Sequence, residues 1–128
     1  MKKKILIMLA AIMLLTAFAS CGSVTEEDVL GDWVLTYKES PGGERAEIPS
    51  DDDYFMEYVT ITRGKLETLN VSKTYGSFTT TVNWELSSSG KMTTTRLSGE
   101  KLSDVYYYKN GELSLELSDG SKRIYTRK

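Results

Sequence analysis

The sequence contains no histidine, and its only cysteine is Cys21. Without imidazole there is no serine–histidine or cysteine–histidine nucleophile pair and no metal site built on histidine ligands. A lone cysteine excludes an intrachain disulfide and a thiolate zinc cluster, so the fold must be held by packing. A phosphate loop, a nucleotide motif and a nucleophile elbow are missing as well. Carboxylate chemistry is what remains for an enzyme, and none of the 18 acidic residues is singled out as a pair. These absences predict a protein that is not an enzyme and carries neither cofactor nor metal.

The charge is informative once its distribution is considered. The formal net charge is −2, but Lys2, Lys3 and Lys4 open a segment that reads as a leader. Beyond it, 13 of the 16 basic residues face 18 acidic ones, a net charge of −5. A nucleic-acid partner calls for a basic face, so that class is disfavoured.

The leader has three parts: the basic Lys2–Lys4, an apolar run from Ile5 to Leu15, and the small-residue stretch Thr16-Ala17-Phe18-Ala19-Ser20. The apolar run is 11 residues, whereas crossing a bilayer takes roughly 20. A cleaved secretory signal over 1–20 is therefore predicted. The four residues Phe18-Ala19-Ser20-Cys21 resemble the lipobox of bacterial lipoproteins, with Phe18 where that motif prefers Leu, Val or Ile. The resemblance implies that Cys21 becomes the lipid-modified N-terminus, carrying diacylglycerol and a further acyl chain such as palmitate. Several chains anchor stably because each buried methylene contributes about 0.8 kcal/mol. Gly22 is not the Asp that resembles an inner-membrane retention signal, so the resemblance implies the cell envelope, at the outer membrane where the host has two.

Residues 21–30 read as a lipidated tether ending in a short helical turn. Thr25 stands at its start, followed by the acids Glu26, Glu27 and Asp28. From Asp32 onward, turn signals recur at Gly64, Gly76, Gly90, Gly99, Asn110-Gly111 and Asp119-Gly120, the spacing of β-hairpins. The two dipeptides suit two-residue turns that need positive φ at both centres. Strands are predicted near 32–38, 54–63, 65–74, 77–86, 91–97, 102–109, 112–118 and 121–127. Alternation puts Trp33, Leu35 and Tyr37 on one face of the first, and Phe78, Thr80, Val82, Trp84 and Leu86 on one face of the fourth. A meander of eight strands without a covering helix closes on itself, so residues 31–128 are predicted to form a small all-β, up-and-down antiparallel barrel.

Leu30-Gly31-Asp32-Trp33 resembles the Gly-x-Trp start of lipocalins and of the shorter lipocalin-like domains found in bacterial lipoproteins. The similarity extends from about residue 25 to the C-terminus, through a turn of helix, a long first loop, hairpins and a last strand carrying Arg. The chain is much shorter than a full lipocalin and has no disulfide. The resemblance implies that an Arg packs over Trp33, with Arg127 the first choice and Arg123 the second. A guanidinium over indole is a structural contact worth about 0.5–2 kcal/mol.

Two functions follow from these readings. The first is a membrane-anchored envelope protein whose barrel binds a small apolar or amphipathic ligand, with Tyr54, Tyr58 and Trp84 as candidate cavity-lining aromatics that would otherwise be core. The second is a solid-barrel interaction or inhibitor module, contacting an envelope protein through the 39–53 stretch or through Tyr106-Tyr107-Tyr108, which must point to both faces. Residues 39–53 form the longest segment without strand pattern and read as a lid or a plain surface loop. Asp51-Asp52-Asp53 lacks the ligand spacing and turn glycine of a calcium loop and reads as a solvated acidic run.

Overall fold

The computed structural model describes residues 23–48, 56–73 and 76–128. The leader, Cys21, Asp51–Asp53 and Tyr54 lie outside the described residues. One helical turn, α1 (Glu26–Val29), precedes β1 (Gly31–Glu39), β2 (Arg45–Glu47), β3 (Met56–Thr62), β4 (Lys65–Ser72) and β5 (Gly76–Leu86). Then follow β6 (Lys91–Thr95), β7 (Lys101–Lys109), β8 (Glu112–Glu116) and β9 (Lys122–Arg127).

Neighbouring strands pair antiparallel in chain order from β3 to β9, and β9 returns to β1 from Trp33↔Arg127 to Glu39↔Lys122. That last pairing closes β1 and β3–β9 into an eight-stranded barrel, which removes the exposed sheet edges an open meander would carry. β3 occupies the first half of its edge of β1, Gly31–Val34, and β2 occupies the second, Tyr37–Glu39. The 39–53 stretch is thus not one loop. The chain turns back within 40–44 and lies against the strand it has just left, with Glu39 Oε1 accepting from Arg45 Nε at 3.1 Å.

Turn chemistry sets the hairpins. Asn110 and Gly111 have φ of 52° and 77°, so this turn has positive φ at both centres. Asp119-Gly120 departs from the two-residue expectation. Leu117 N–H donates to Ser121 O at 2.8 Å and Gly120 N–H to Leu117 O at 3.0 Å, and of the pair only Gly120 takes positive φ. Asp119 instead accepts from Ser121 N–H at 2.9 Å. The same five-residue turn, with glycine fourth, recurs at Ser40–Glu44, Ser87–Lys91 and Arg96–Glu100. Gly90 is constrained twice. Its φ is 93°, and a side chain there would collide with the carbonyl of Tyr108, whose N–H donates to Gly90 O.

Alternation fills the interior. Trp33, Leu35, Val59, Ile61, Leu66, Met92, Leu113 and Tyr125 are at most 1% exposed and belong to one cluster. Each such aliphatic side chain contributes about 1.5–3 kcal/mol on burial. Tyr37 does not continue the inward face of β1. The β1–β9 register shifts between Leu35 and Tyr37, so Tyr37 sits opposite Ile124 on the outer wall. There Arg45 covers the Tyr37 ring at 5.5 Å and reaches Glu112 of β8 through both Nη atoms, at 2.9 Å each.

The alternating strands give the barrel two unlike ends. The closed end carries α1 and the turns at Gly64, Gly90 and Asn110-Gly111. The open end carries the turns at 40–44, 96–100 and 117–121, with the start of β5.

Candidate functional site

At the closed end, α1 is too short to satisfy its own carbonyls, and the side chains of the Gly-x-Trp region do so instead. Trp33 Nε1 donates to Val29 O at 3.0 Å, Arg127 Nη1 donates to Leu30 O at 2.7 Å, and Arg127 Nη2 donates to Asp28 O. Three consecutive carbonyls are thereby capped. The Arg127 guanidinium also lies 4.5 Å from the centre of the Trp33 ring. Gly31 makes this possible: its φ is 124°, and a Cβ would stand 3.0 Å from Arg127 Nη1. Asp28 Oδ2 in turn accepts from Thr25 N–H at 2.9 Å, so an acid of the first turn caps the helix start. Tyr108 meets Trp33 edge to face, with centroids 6.3 Å apart. This end is built for closure.

At the open end, the β3 alternation that buries Val59 and Ile61 also turns Glu57 inward, where it is 2% exposed. A buried carboxylate needs partners. Glu57 Oε1 accepts from Tyr125 Oη at 2.5 Å, and Oε2 accepts from Arg123 Nη1 at 3.0 Å. Burial raises the Glu57 carboxyl above the ordinary glutamate range, while Tyr125 and Arg123 pull it back. Burial likewise pushes up the Tyr106 and Tyr125 hydroxyls. Arg123, the second choice for the Trp33 contact, is therefore committed to the opposite end of the barrel.

Above this pair lies a cavity of about 170 Å³. Leu66, Val82 and Leu115 lie on its apolar side, while Thr68, Asn70, Thr80 and Asp104 give polar wall. Ligand pockets of drug-like size run to about 300–1,000 Å³ and are mainly apolar. This cavity is smaller and far more polar.

The candidate aromatics fall in different places. Tyr58 faces outward: it pairs with Val34 and Leu69, alternates with buried Val59, and lies under Lys128 Nζ at 5.0 Å. It therefore does not line the interior. Trp84 is inside and 6% exposed, but its Nε1 donates to Thr62 O at 2.8 Å and Lys65 O at 3.0 Å, clasping the β3–β4 turn. Its polar handle is spent on the closed end. Tyr106 points in and Tyr107 points out, with 39% of the latter exposed. Glu57 and Asp104 were not singled out in the sequence. The signal for Glu57 was its place two residues before Val59 and four before Ile61, on the inward face of a strand.

No family model matches the chain, and no curated protein matches it. Solved structures do. A lipocalin-like protein from Bacteroides uniformis superposes with a TM-score of 0.56 at 18% identity, over 79% of this chain and 99% of the other. An uncharacterized protein from Bacteroides eggerthii gives a TM-score of 0.50 at 11% identity, over 77% and 98%. At these identities the likeness concerns the fold alone: the chain is a closed, eight-stranded, all-β antiparallel barrel of lipocalin-like form.

Proposed function

We propose that this protein is a membrane-anchored binding module of the cell envelope that engages its ligand at the polar open end of the barrel. A filled interior carries this reading. The cluster of 13 buried residues that includes Trp33 and Tyr125 leaves the closed half packed, and the open half ends in a small polar cavity over Glu57 and Arg123. Among the described residues, the barrel interior has no volume to match an acyl chain or other extended apolar ligand. The reading is of a binder and not of an enzyme.

The anchor rests on the lipobox-like Phe18-Ala19-Ser20-Cys21. Val24 N–H donates to Ser88 O at 2.9 Å in a closed-end turn. Cys21 is three residues from that point, at most about 10 Å of extended chain. A lipid on Cys21 would hold the closed end against the bilayer with the open end facing away.

The test has two arms. The full chain, expressed in bacteria that process lipoproteins, should incorporate labelled palmitate and sediment with membranes, and Cys21→Ser should do neither. Label retained by the Ser variant would refute the anchor. The purified protein titrated with a C16 fatty acid should show no saturable quenching of tryptophan fluorescence. Stoichiometric uptake would mean that the interior opens, and the open-end reading would fall.

A further inference from the structure

We propose that the open-end cavity is a site for a small polar cation, a molecule with one primary ammonium group among hydroxyls. This ligand class rests on the reading of the open end as the binding end. Volume sets the size: about 170 Å³ is well below the roughly 300–1,000 Å³ of drug-sized pockets. That admits a single-ring or short-chain molecule and excludes a lipid tail.

Charge sets the class. Among the described residues, the charged side chains of the wall are Glu57, Asp104 and Arg123, two carboxylates against one guanidinium. Arg123 and Glu57 engage each other at 3.0 Å, and Glu57 is sealed from water on its other oxygen by Tyr125. The charge left over belongs to Asp104, at the exposed rim. Its carboxylate lies close enough to raise both the Glu57 carboxyl and the Tyr106 hydroxyl, so its field reaches into the cavity. The backbone carbonyl of Asp104 is held by Thr94 Oγ1 at 2.8 Å, and Thr94 is itself 2% exposed. The strand presenting the carboxylate is therefore fixed in advance, which limits the ordering cost of binding. An ammonium beside Asp104 would lie near the Tyr106 ring, a favourable face for a cation. Asn70 and Thr80 across the cavity supply an amide and a hydroxyl for ligand hydroxyls.

On the Asp104 side, the approach to the cavity carries the same sign, while the groove on the Arg123 side is lined by Lys38, Arg45 and Lys122 as well as Glu39 and Glu44. β7 pairs with β8 only from Tyr106 to Lys109, so Ser103–Val105 part from the β8 side and leave a cleft. Asp104, Glu116 and Asp119 line it, together with Tyr107, and among the described residues no Lys or Arg does. Walls of one sign raise the local concentration of an oppositely charged ligand and repel its anionic analogue. The cleft leads to Asp104, which it shares with the cavity.

The test uses three probes of one size: glucosamine as the ammonium, glucose as the neutral form and glucuronate as the anion. They are titrated into the full chain in detergent micelles and followed by amide chemical shifts. Glucosamine should produce saturable shifts at Thr68, Asn70, Thr80 and Asp104, at least tenfold tighter than glucose, with no saturable response to glucuronate. Its affinity should weaken at least threefold between 20 and 200 mM salt, as screening requires. Asp104→Asn is on the rim and should fold normally, while lowering glucosamine affinity at least fivefold and leaving glucose unchanged. Equal binding of glucosamine and glucose, unaffected by Asp104→Asn, would overturn the cation class and leave the open end as the binding end. No saturable shift with any of the three would overturn this proposal. Shifts confined to closed-end residues would overturn the open-end reading too.

Discussion

Arg127 offers the most direct test of how the barrel is closed. Its guanidinium donates to Leu30 O and Asp28 O and lies 4.5 Å from the Trp33 ring centre, so one side chain ties the end of β9 to α1 and to the core tryptophan. Hydrogen bonds to a charged group contribute about 1.5–3 kcal/mol each, and a cation over an indole about 0.5–2. Arg127 is exposed, so water competes for it and the low end applies. Removing the side chain in Arg127→Ala should then cost about 2–3 kcal/mol in all. For a domain of this size that lowers Tm by roughly 10–20 °C. Arg127→Lys keeps the charge near Trp33 but has no planar fork to span two carbonyls, so it should recover less than half of the loss. Urea denaturation followed by tryptophan fluorescence measures both. Gly31→Ala supplies the coupling test: with Arg127 present, the new Cβ at 3.0 Å must push the guanidinium aside, whereas in Arg127→Ala only the backbone cost of φ 124° remains. The double variant should therefore be more stable than the sum of the single losses predicts. A cost below 0.5 kcal/mol for Arg127→Ala, or strict additivity with Gly31→Ala, would refute this account of the closed end.

Other perturbations have definite outcomes. Gly90→Ala should destabilise by at least about 3 kcal/mol, because it combines a positive φ with a collision against the Tyr108 carbonyl; thermal unfolding would show it, and a loss under 1 kcal/mol would count against the turn geometry. Trp84→Phe strips the donor from Thr62 O and Lys65 O and should cost about 2 kcal/mol, read as a lower urea midpoint with an unchanged m value. Glu57 gives a pH signature. Burial raises its folded-state carboxyl, so its stabilising contribution is complete below the unfolded value of about 4.3 and is lost as pH climbs through the raised folded value. Asp119, lowered by its Ser121 hydrogen bonds, acts in the opposite sense, losing its contribution as pH falls. It is common to wild type and Glu57→Gln, so the stability difference between them isolates Glu57 and should shift in favour of the Gln variant between pH 4 and pH 7; a flat difference would remove Glu57 from the account.

Much of the fold was legible because its signals are local. Asn110-Gly111 and the turn glycines declare where the chain reverses, and Trp33, Leu35, Val82 and Trp84 declare the inward face by period-two alternation. The candidate site was harder to read. Alternation with Val59 and Ile61 turns Glu57 inward, but it meets Arg123 and Tyr125 across 66 and 68 residues, and no local pattern names those partners. Tyr58, a candidate for the interior, lies on the outer face because β3 turns its neighbours Glu57 and Val59 inward. Tyr37 followed the alternation up to a bulge that only the β1–β9 pairing creates.

By itself, then, the sequence determined the class of fold, the eight strands of the barrel wall, the places where most of its hairpins turn and the lipobox-like Cys21 that carries the anchor proposal, since each depends on residues adjacent in the chain or spaced by two. Tertiary structure alone decided which arginine caps Trp33, which acid is buried, where the chain folds back within 39–53, and that, among the described residues, the closed half of the barrel is packed while a small polar cavity lies toward its open end. Those outcomes depend on how strands distant in sequence are staggered when the sheet closes. The stagger is a property of the whole ring of pairings and not of any one segment.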